Sequence, residues 1–301
     1  MEVLAREVWE TRAAAHADRV EEFVGPHLER RRDQVKHPVH DFLFTYYSYR
    51  PAQLRRWHPG VGVRLVDGAA AYGGLKGYRT EGADAVVDPG FVVAQRPLVQ
   101  SLHRLLAATA ARPAHFGCFG LHEWAMVYRL DGDETRHDWP LRLGSAGTDE
   151  VVESHRIACS HFDAFRFFTP AARPLNTLTP RTDDRPDFEQ PGCLHAGMDL
   201  YKHAFRLSPM VSSDLVADAF ELARDIRIMD MRAAPYDLSG LDLGDGRRWS
   251  PIPIETAEGK REYADAQRGF AERGAPLRAR LVGECERLLA PGPNSRVAIA
   301  R

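Results

Sequence analysis

Three short segments concentrate the residue types that transfer protons or bind metal ions. They are HFGCFGLHEW at positions 115–124, HRIACSHFDAF at 155–165 and CLHAGMDLYKH at 193–203. Together they contain six of the 13 histidines and three of the four cysteines. Clusters of imidazole, thiol and carboxylate are typical of catalytic and metal sites. We therefore expect the side chains near positions 122, 161 and 199 to meet beside one cavity.

The second and third segments contain polar residues at regular spacing. His195, Asp199 and His203 recur every four residues, so a helix would align them along one face. His161 and Asp163 are two residues apart, and a strand would aim both side chains the same way. Either arrangement provides two metal ligands or an acid/base pair.

The first segment contains two adjacent polar residues, His122 and Glu123. Neighbouring side chains on a helix or strand point in different directions, so we expect only one of them to face a given pocket. Six residues of the three segments are candidate catalytic groups: His122, Glu123, His161, Asp163, His195 and Asp199.

Two chemistries are open to these side chains. In metal-free acid/base catalysis, which needs no cofactor, a carboxylate activates water and a histidine orients it or donates a proton. In the alternative, zinc or non-haem iron is bound by imidazole, thiolate and carboxylate, although no C-x-x-C or H-E-x-x-H signature occurs. The candidate ligands for that metal are His122, His161, His195 and Asp199.

The same residue types also occur without catalysis. Histidine and cysteine are common as half-buried, hydrogen-bonded residues of a protein core. A pocket lined by them can also hold a small molecule without transforming it. The sequence therefore leaves three classes open, namely a metal-free enzyme, a metal-dependent hydrolase or oxygenase, and a non-catalytic binding protein.

Aromatic and charged side chains supply candidate substrate contacts. The run DFLFTYYSY at 41–49 offers rings that stack on a flat ligand such as a nucleobase, or that fill the core. Arg227 and Asp230 can hold a carboxylate or phosphate, or pair with each other within one helix. The candidate substrate-binding residues are Tyr46, Tyr47, Arg50, Trp124, Arg166, Arg227 and Asp230.

A single compact domain of mainly α (α+β) class, spanning 1–301, is expected to position these residues. Its expected parts are a helical N-terminal lobe (1–58), a glycine-rich strand or hairpin segment (60–90), a catalytic-candidate core (95–237) and a C-terminal helical region (257–290). Helices are predicted at 2–24, 97–110, 194–207, 211–231 and 257–289, the last with a break near Pro276. Loops are predicted at 131–150 and 170–191, the second because it contains five prolines.

Charge, apolar runs and cysteine spacing limit the partners and the cellular location that we expect for this chain. The formal net charge of −2 gives no support to DNA binding, because duplex-binding domains usually carry a strongly basic face. Apolar runs fall short of the roughly 18 residues of a membrane span, and the N-terminus has no basic-then-apolar start, so a cytoplasmic protein is expected. The cysteines are widely spaced, which predicts reduced thiols. No sequence feature specifies an oligomeric state.

Four stretches carry a resemblance to a known family. They are FLFTYYSYRPAQLRRWHPG (42–60), HFGCFGLHEWAMVYR (115–129), HFDAFRFFTPAARPLNTL (161–178) and the run from 190 to 238. Through them the chain resembles a poorly characterised, chiefly actinobacterial family whose members are commonly labelled 3-methyladenine DNA glycosylase. The resemblance spans roughly residues 1–285.

This resemblance implies hydrolysis of the N-glycosidic bond of a modified purine. Aromatic candidates would sandwich the base, while Asp163, Asp199 or Glu123 would stabilise the oxocarbenium-like sugar and direct water at it. The expected partner is a modified nucleobase, a nucleoside or another small molecule. DNA is the partner that the family label suggests and that the net charge does not support.

Overall fold

The computed structural model describes residues 1–130, 139–241 and 249–290, and it shows a mainly helical α+β fold, as predicted. No helix within these ranges combines the length and the apolar character that a bilayer crossing requires. The described α-helices are α1 (Arg6–Arg32), α2 (Phe42–Tyr46), α3 (Pro51–Arg55), α4 (Ala69–Tyr72), α5 (Pro89–Ala94), α6 (Arg96–Ala110), α7 (Leu121–Ala125), α8 (Gly144–Glu153), α9 (Phe162–Phe165), α10 (Arg185–Phe188), α11 (Leu194–Arg206), α12 (Ser213–Arg232) and α13 (Ala257–Leu289).

A small sheet forms where the β-prone segment was predicted. Its strands are β1 (Glu2–Leu4), β2 (Val63–Leu65), β3 (Tyr78–Glu81) and β4 (Asp84–Val87), in the order β1-β2-β4-β3. β3 and β4 form an antiparallel hairpin that turns at Gly82, whose φ of +65° suits glycine. β1 pairs in parallel with β2, so the prediction of a helix from residue 2 is wrong for the first few residues.

Long helices build the core. α11 and α12 pack on each other, and α13 packs against both and against α6. Ser212 caps α12 by accepting a hydrogen bond from the Asp214 amide, 3.1 Å away. One buried hydrophobic cluster contains residues from Leu4 to Leu288, so the sheet, the central helices and α13 share a core.

Three predicted boundaries are wrong. α1 continues through Pro26 to Arg32, and α13 continues through Pro276 without the expected break. A proline in a helix loses one hydrogen bond and costs about 3 kcal/mol. Burial of Gly274, Arg278 and Leu281 around Pro276 supplies tertiary packing that offsets this cost. α8 occupies part of the predicted loop 131–150, of which residues 131–138 lie outside the described ranges.

The proline-rich segment 170–191 is an ordered connection, as predicted, and it contains a 3-10 helix (Arg173–Leu175) and α10. The side-chain amide of Asn176 holds this segment against the residues before α9. It accepts from the Cys159 backbone N–H at 2.7 Å and donates to the Cys159 carbonyl at 3.0 Å. The last part of this segment therefore reaches the site described next.

Candidate functional site

All three histidine-containing segments reach one cavity, here called the main cavity, with a volume of about 720 Å³. Residues within 112–122, 155–160 and 187–195 line it, together with Thr177 and Leu178. Phe116, Phe119 and Phe188 give it aromatic walls. A volume in this range suits a small-molecule ligand, so the main cavity is the candidate substrate site.

Two imidazoles and one carboxylate converge at this cavity. His122 on α7 and His195 on α11 line it, with their rings edge to face at 4.5 Å between centroids. Asp230, near the end of α12, lies behind His122, and its two carboxylate oxygens are 3.2 and 3.3 Å from His122 Nε2. One ligand-type atom of each residue lies within 4.8 Å of the other two. We call these residues the His-His-Asp cluster.

Burial and charge set the protonation of this cluster. Burial lowers the pKa of His195 well below its usual value, and the neighbouring His122 charge lowers it further. Burial opposes ionisation of Asp230, but the His122 and His195 imidazoles and the Arg227 guanidinium lower its pKa to about 2. Burial also opposes protonation of His122, but the Asp230 carboxylate outweighs it and raises the His122 pKa. His195 is therefore neutral and Asp230 ionised at neutral pH.

Three thiols border the same cavity: Cys118, Cys159 and Cys193. Burial raises the pKa of each thiol, to about 12 for Cys159. A thiol is a nucleophile or a metal ligand only as the thiolate. These cysteines are therefore uncharged at neutral pH, and they form a weakly polar part of the cavity wall.

Glu123 points away from the main cavity. It is buried and accepts a hydrogen bond from Arg227 Nη1 at 3.1 Å. The same nitrogen is 3.7 Å from an Asp230 oxygen, and the guanidinium carbon lies 3.8 Å from the centre of the Phe42 ring. The expectation that only one of the adjacent pair His122 and Glu123 faces a pocket is thus confirmed for this cavity.

Asp199 belongs to a partly buried ionic group next to the His-His-Asp cluster. Tyr47, Arg185 and Lys202 all donate to Asp199, at 3.0, 2.8 and 2.8 Å. Arg185 also bonds Glu189, and Lys202 also bonds Asp163. We call this group the Asp199 cluster; it consists of Asp163, Arg185, Glu189, Asp199 and Lys202.

His161 lies between the two clusters. Its Nε2 is 3.4 Å from an Asp199 oxygen and 3.5 Å from a Glu189 oxygen, and its ring centroid is 5.3 Å from that of His195. The imidazoles of His122, His195 and His161 therefore form a continuous row from Asp230 to Asp199, in which His195 is half-buried. The strand geometry that would aim His161 and Asp163 the same way does not form, because His161 is the residue before α9 and Asp163 lies within that helix.

Burial and cations fix the charges of the Asp199 cluster. Burial would raise the pKa of Asp199, but Lys202 and the His161 imidazole hold it well below its usual value. Burial would lower the pKa of Lys202, but Asp199 raises it. Both groups are thus charged at neutral pH. An ionised carboxylate already bonded to two cations is a poor base for activating water.

A separate surface pocket of about 330 Å³ collects several predicted substrate contacts. It shares no lining residue with the main cavity among the described ranges. Its lining residues are Tyr46, Tyr47, Tyr49, Asp163, Arg166, Lys202 and Arg206. Asp163 therefore lies at a different surface from His122 and His195.

Two predicted substrate residues lie elsewhere. Trp124 is fully buried, and its indole N–H donates to the Ala233 carbonyl at 2.9 Å. Arg50 lines another cavity, of about 750 Å³, beside Arg31 and Lys36. Trp124 therefore stabilises the core at the α7–α12 junction, and Arg50 is remote from the His-His-Asp cluster's cavity.

The chain was compared with protein-family models, curated proteins and solved structures. No protein-family model, curated protein or solved structure matches this chain. The resemblance to the glycosylase-labelled family therefore stays a prediction.

Sequence reasoning missed three residues of the Asp199 cluster: Arg185, Glu189 and Lys202. Helical spacing is a signal for parts of it, since Lys202 follows Asp199 by three residues and Glu189 follows Arg185 by four. No local pattern joins Glu189 to His161. Asp230 was predicted as a substrate contact, whereas its contacts in the fold are with His122 and Arg227.

Proposed function

We propose that this chain is a hydrolase that cleaves the N-glycosidic bond of a modified purine bound in the main cavity. One observation carries the proposal: His122 and His195 face a cavity with aromatic walls, and Asp230 supports His122 from behind. An imidazole held by a carboxylate orients water and moves its proton. Phenylalanine rings stack on a flat base, as Phe116, Phe119 and Phe188 could.

The placement of the carboxylates changes the expected roles. Glu123 and Asp199 are each bonded to arginine, and Asp163 lies at the surface pocket. Water activation in the main cavity is therefore assigned to His122, with Asp230 as the positioning carboxylate. The resemblance supports the purine substrate, and the aromatic walls are compatible with it.

The test is release of free base. The purified chain is incubated with methylated DNA and, separately, with methylated purine nucleosides, and free base is separated by chromatography. We expect release from at least one substrate set, and a loss of about 100-fold or more in His122→Gln, the range for removing a general base. Asp163→Asn is the matched control, because it alters the surface pocket and leaves the main cavity unchanged.

Two outcomes contradict this proposal. Wild-type protein that releases no base from either substrate set removes the glycosidic reaction. Activity lost in Asp163→Asn and kept in His122→Gln moves the reaction to the surface pocket. Thermal melting of both variants checks that each is folded.

A second candidate is a binding protein without catalysis that uses the same cavity. Glu123 and Asp199 are paired with cations and do not line the main cavity, so neither can activate water there, which favours binding without catalysis. Within the described ranges, Asp187 is the carboxylate that lines this cavity. Thermal-shift screening against purines, nucleosides and carboxylates separates the two functions. Stabilisation by a compound that is recovered unchanged supports binding alone.

A further inference from the structure

The geometry of the His-His-Asp cluster differs from that of an ordinary ion pair. Charge-assisted N–H···O bonds are usually 2.7–2.9 Å long. The His122 Nε2 contacts with the two Asp230 oxygens are 3.2 and 3.3 Å. Two ligands about 2.1 Å from one metal ion, at angles of about 90° to 109°, lie about 3.0–3.4 Å apart. The His122–Asp230 separations fall within that interval, and the ligand atoms of all three residues lie within 4.8 Å of one another.

The unused atoms of the cluster point to a further ligand. Asp230 is 1% exposed, and its Oδ1 makes no hydrogen bond within the described residues. The His195 ring borders the cavity and packs on the rings of His122 and His161. Buried polar atoms normally make hydrogen bonds, so an Asp230 oxygen that lies 3.2 Å from His122 Nε2 without forming one needs an explanation.

The local charge suits a cation. Arg227 lies 3.7 Å from Asp230, but its charge is balanced by Glu123 at 3.1 Å. One guanidinium thus faces two buried carboxylates, and the Asp230 carboxylate lies next to two imidazoles. Two histidines and one carboxylate, with further positions open, form the donor set of catalytic zinc and of non-haem iron(II) sites.

We propose that His122, His195 and Asp230 bind one divalent transition-metal ion, zinc or iron(II), whose open positions face the main cavity. Access is provided by the cavity, which both histidines line. This ligand set replaces the expected one, because Asp199 is bonded to Arg185 and Lys202 and His161 faces Asp199, while Asp230 joins the two histidines. The inference uses the site of the proposed hydrolase. With the ion bound, His122 would be a ligand, and the ion would take over water activation by lowering the pKa of a bound water.

The test measures metal binding without substrate. The full chain is stripped with a chelator and titrated with Co²⁺, followed by visible absorption, and with Zn²⁺, followed by calorimetry. We expect one ion per chain. His195→Ala and Asp230→Asn should each weaken binding about 100-fold or more, because even loss of an outer-sphere partner costs 10–100-fold. His115→Ala is the matched control, since its imidazole lines the same cavity outside the cluster, and it should bind as the wild type does.

Two results overturn the metal site: wild-type binding well below one equivalent, or unchanged affinity in His195→Ala. The His195 variant decides the matter if Asp230→Asn fails to fold, because His195 is only half-buried. Base release assayed with and without chelator separates this inference from the proposed function. Release that persists after complete metal removal keeps the hydrolase and excludes the ion from its reaction, whereas the titrations decide whether the site binds metal. One bound ion without base release keeps the metal and contradicts the hydrolase.

Discussion

Replacement of Asp199 by asparagine tests whether this candidate catalytic residue is structural. Its carboxylate is 3% exposed and bonds Tyr47, Arg185 and Lys202. Asp199→Asn keeps the shape of the side chain but removes the buried charge that the half-buried cations Arg185 and Lys202 face. Breaking a buried ion pair from one side costs about 3–5 kcal/mol. With an unfolding entropy of about 0.6 kcal/mol per kelvin for a chain of this length, we expect the melting temperature to fall by about 5–8 °C.

The assay is calorimetry or far-ultraviolet circular dichroism between pH 3 and pH 8. Asp163→Asn is the control, because Asp163 shares Lys202 but its side chain is 19% exposed, and it should lower the melting temperature by about 2 °C or less. The pKa of Asp199 is lower in the folded chain than in the unfolded chain, so its ionised carboxylate stabilises the fold above the unfolded-state pKa of about 3.9. This stabilisation is lost as the pH falls through the folded-state pKa.

The difference between wild type and Asp199→Asn should therefore be constant from pH 8 to about pH 5 and shrink below about pH 4. An Asp199→Asn protein that melts within about 1 °C of wild type at pH 7 would refute the reasoning. So would equal losses in the Asp199 and Asp163 variants, since their burial differs.

Three further predictions concern other parts of the fold. Burial lowers the pKa of His58 to about 4, so below about pH 6.5 the unfolded chain takes up a proton that the folded chain excludes. Stability should fall by up to about 3 kcal/mol from pH 6.5 to 4, and urea unfolding of His58→Gln should show a shallower fall. A Cβ at Gly259 would lie 2.0 Å from the Pro253 carbonyl oxygen, whereas one at Gly283 meets nothing within 4 Å. Gly259→Ala should therefore destabilise by about 2 kcal/mol or more and Gly283→Ala stabilise by about 0.5–1 kcal/mol; the same sign for both would contradict this. Trp124→Phe should cost about 1–3 kcal/mol through the lost indole bond without changing the KM for any substrate; a raised KM would restore its predicted substrate role.

Much of the secondary structure follows from local patterns. The apolar stripes of α11 and α12 and the proline near the start of α6 specify these helices, and the glycine-interrupted segment 60–90 specifies the hairpin. Local patterns fail at β1 and at Pro276. There the pairing with β2 and the burial of α13 outweigh local preference.

The sequence by itself determined which segments border the main cavity, because histidines, cysteines and carboxylates cluster within three short stretches, each of which contributes residues to its lining. The tertiary structure alone decided the partners. Asp230 meets His122 across 108 positions, while Asp199, four residues from His195, is bonded to Arg185 and Lys202 instead. Helical spacing fixes only the face on which a side chain lies. Which carboxylate supports a given imidazole depends on how α7, α11 and α12 pack, since that packing sets the distances and the surrounding charges.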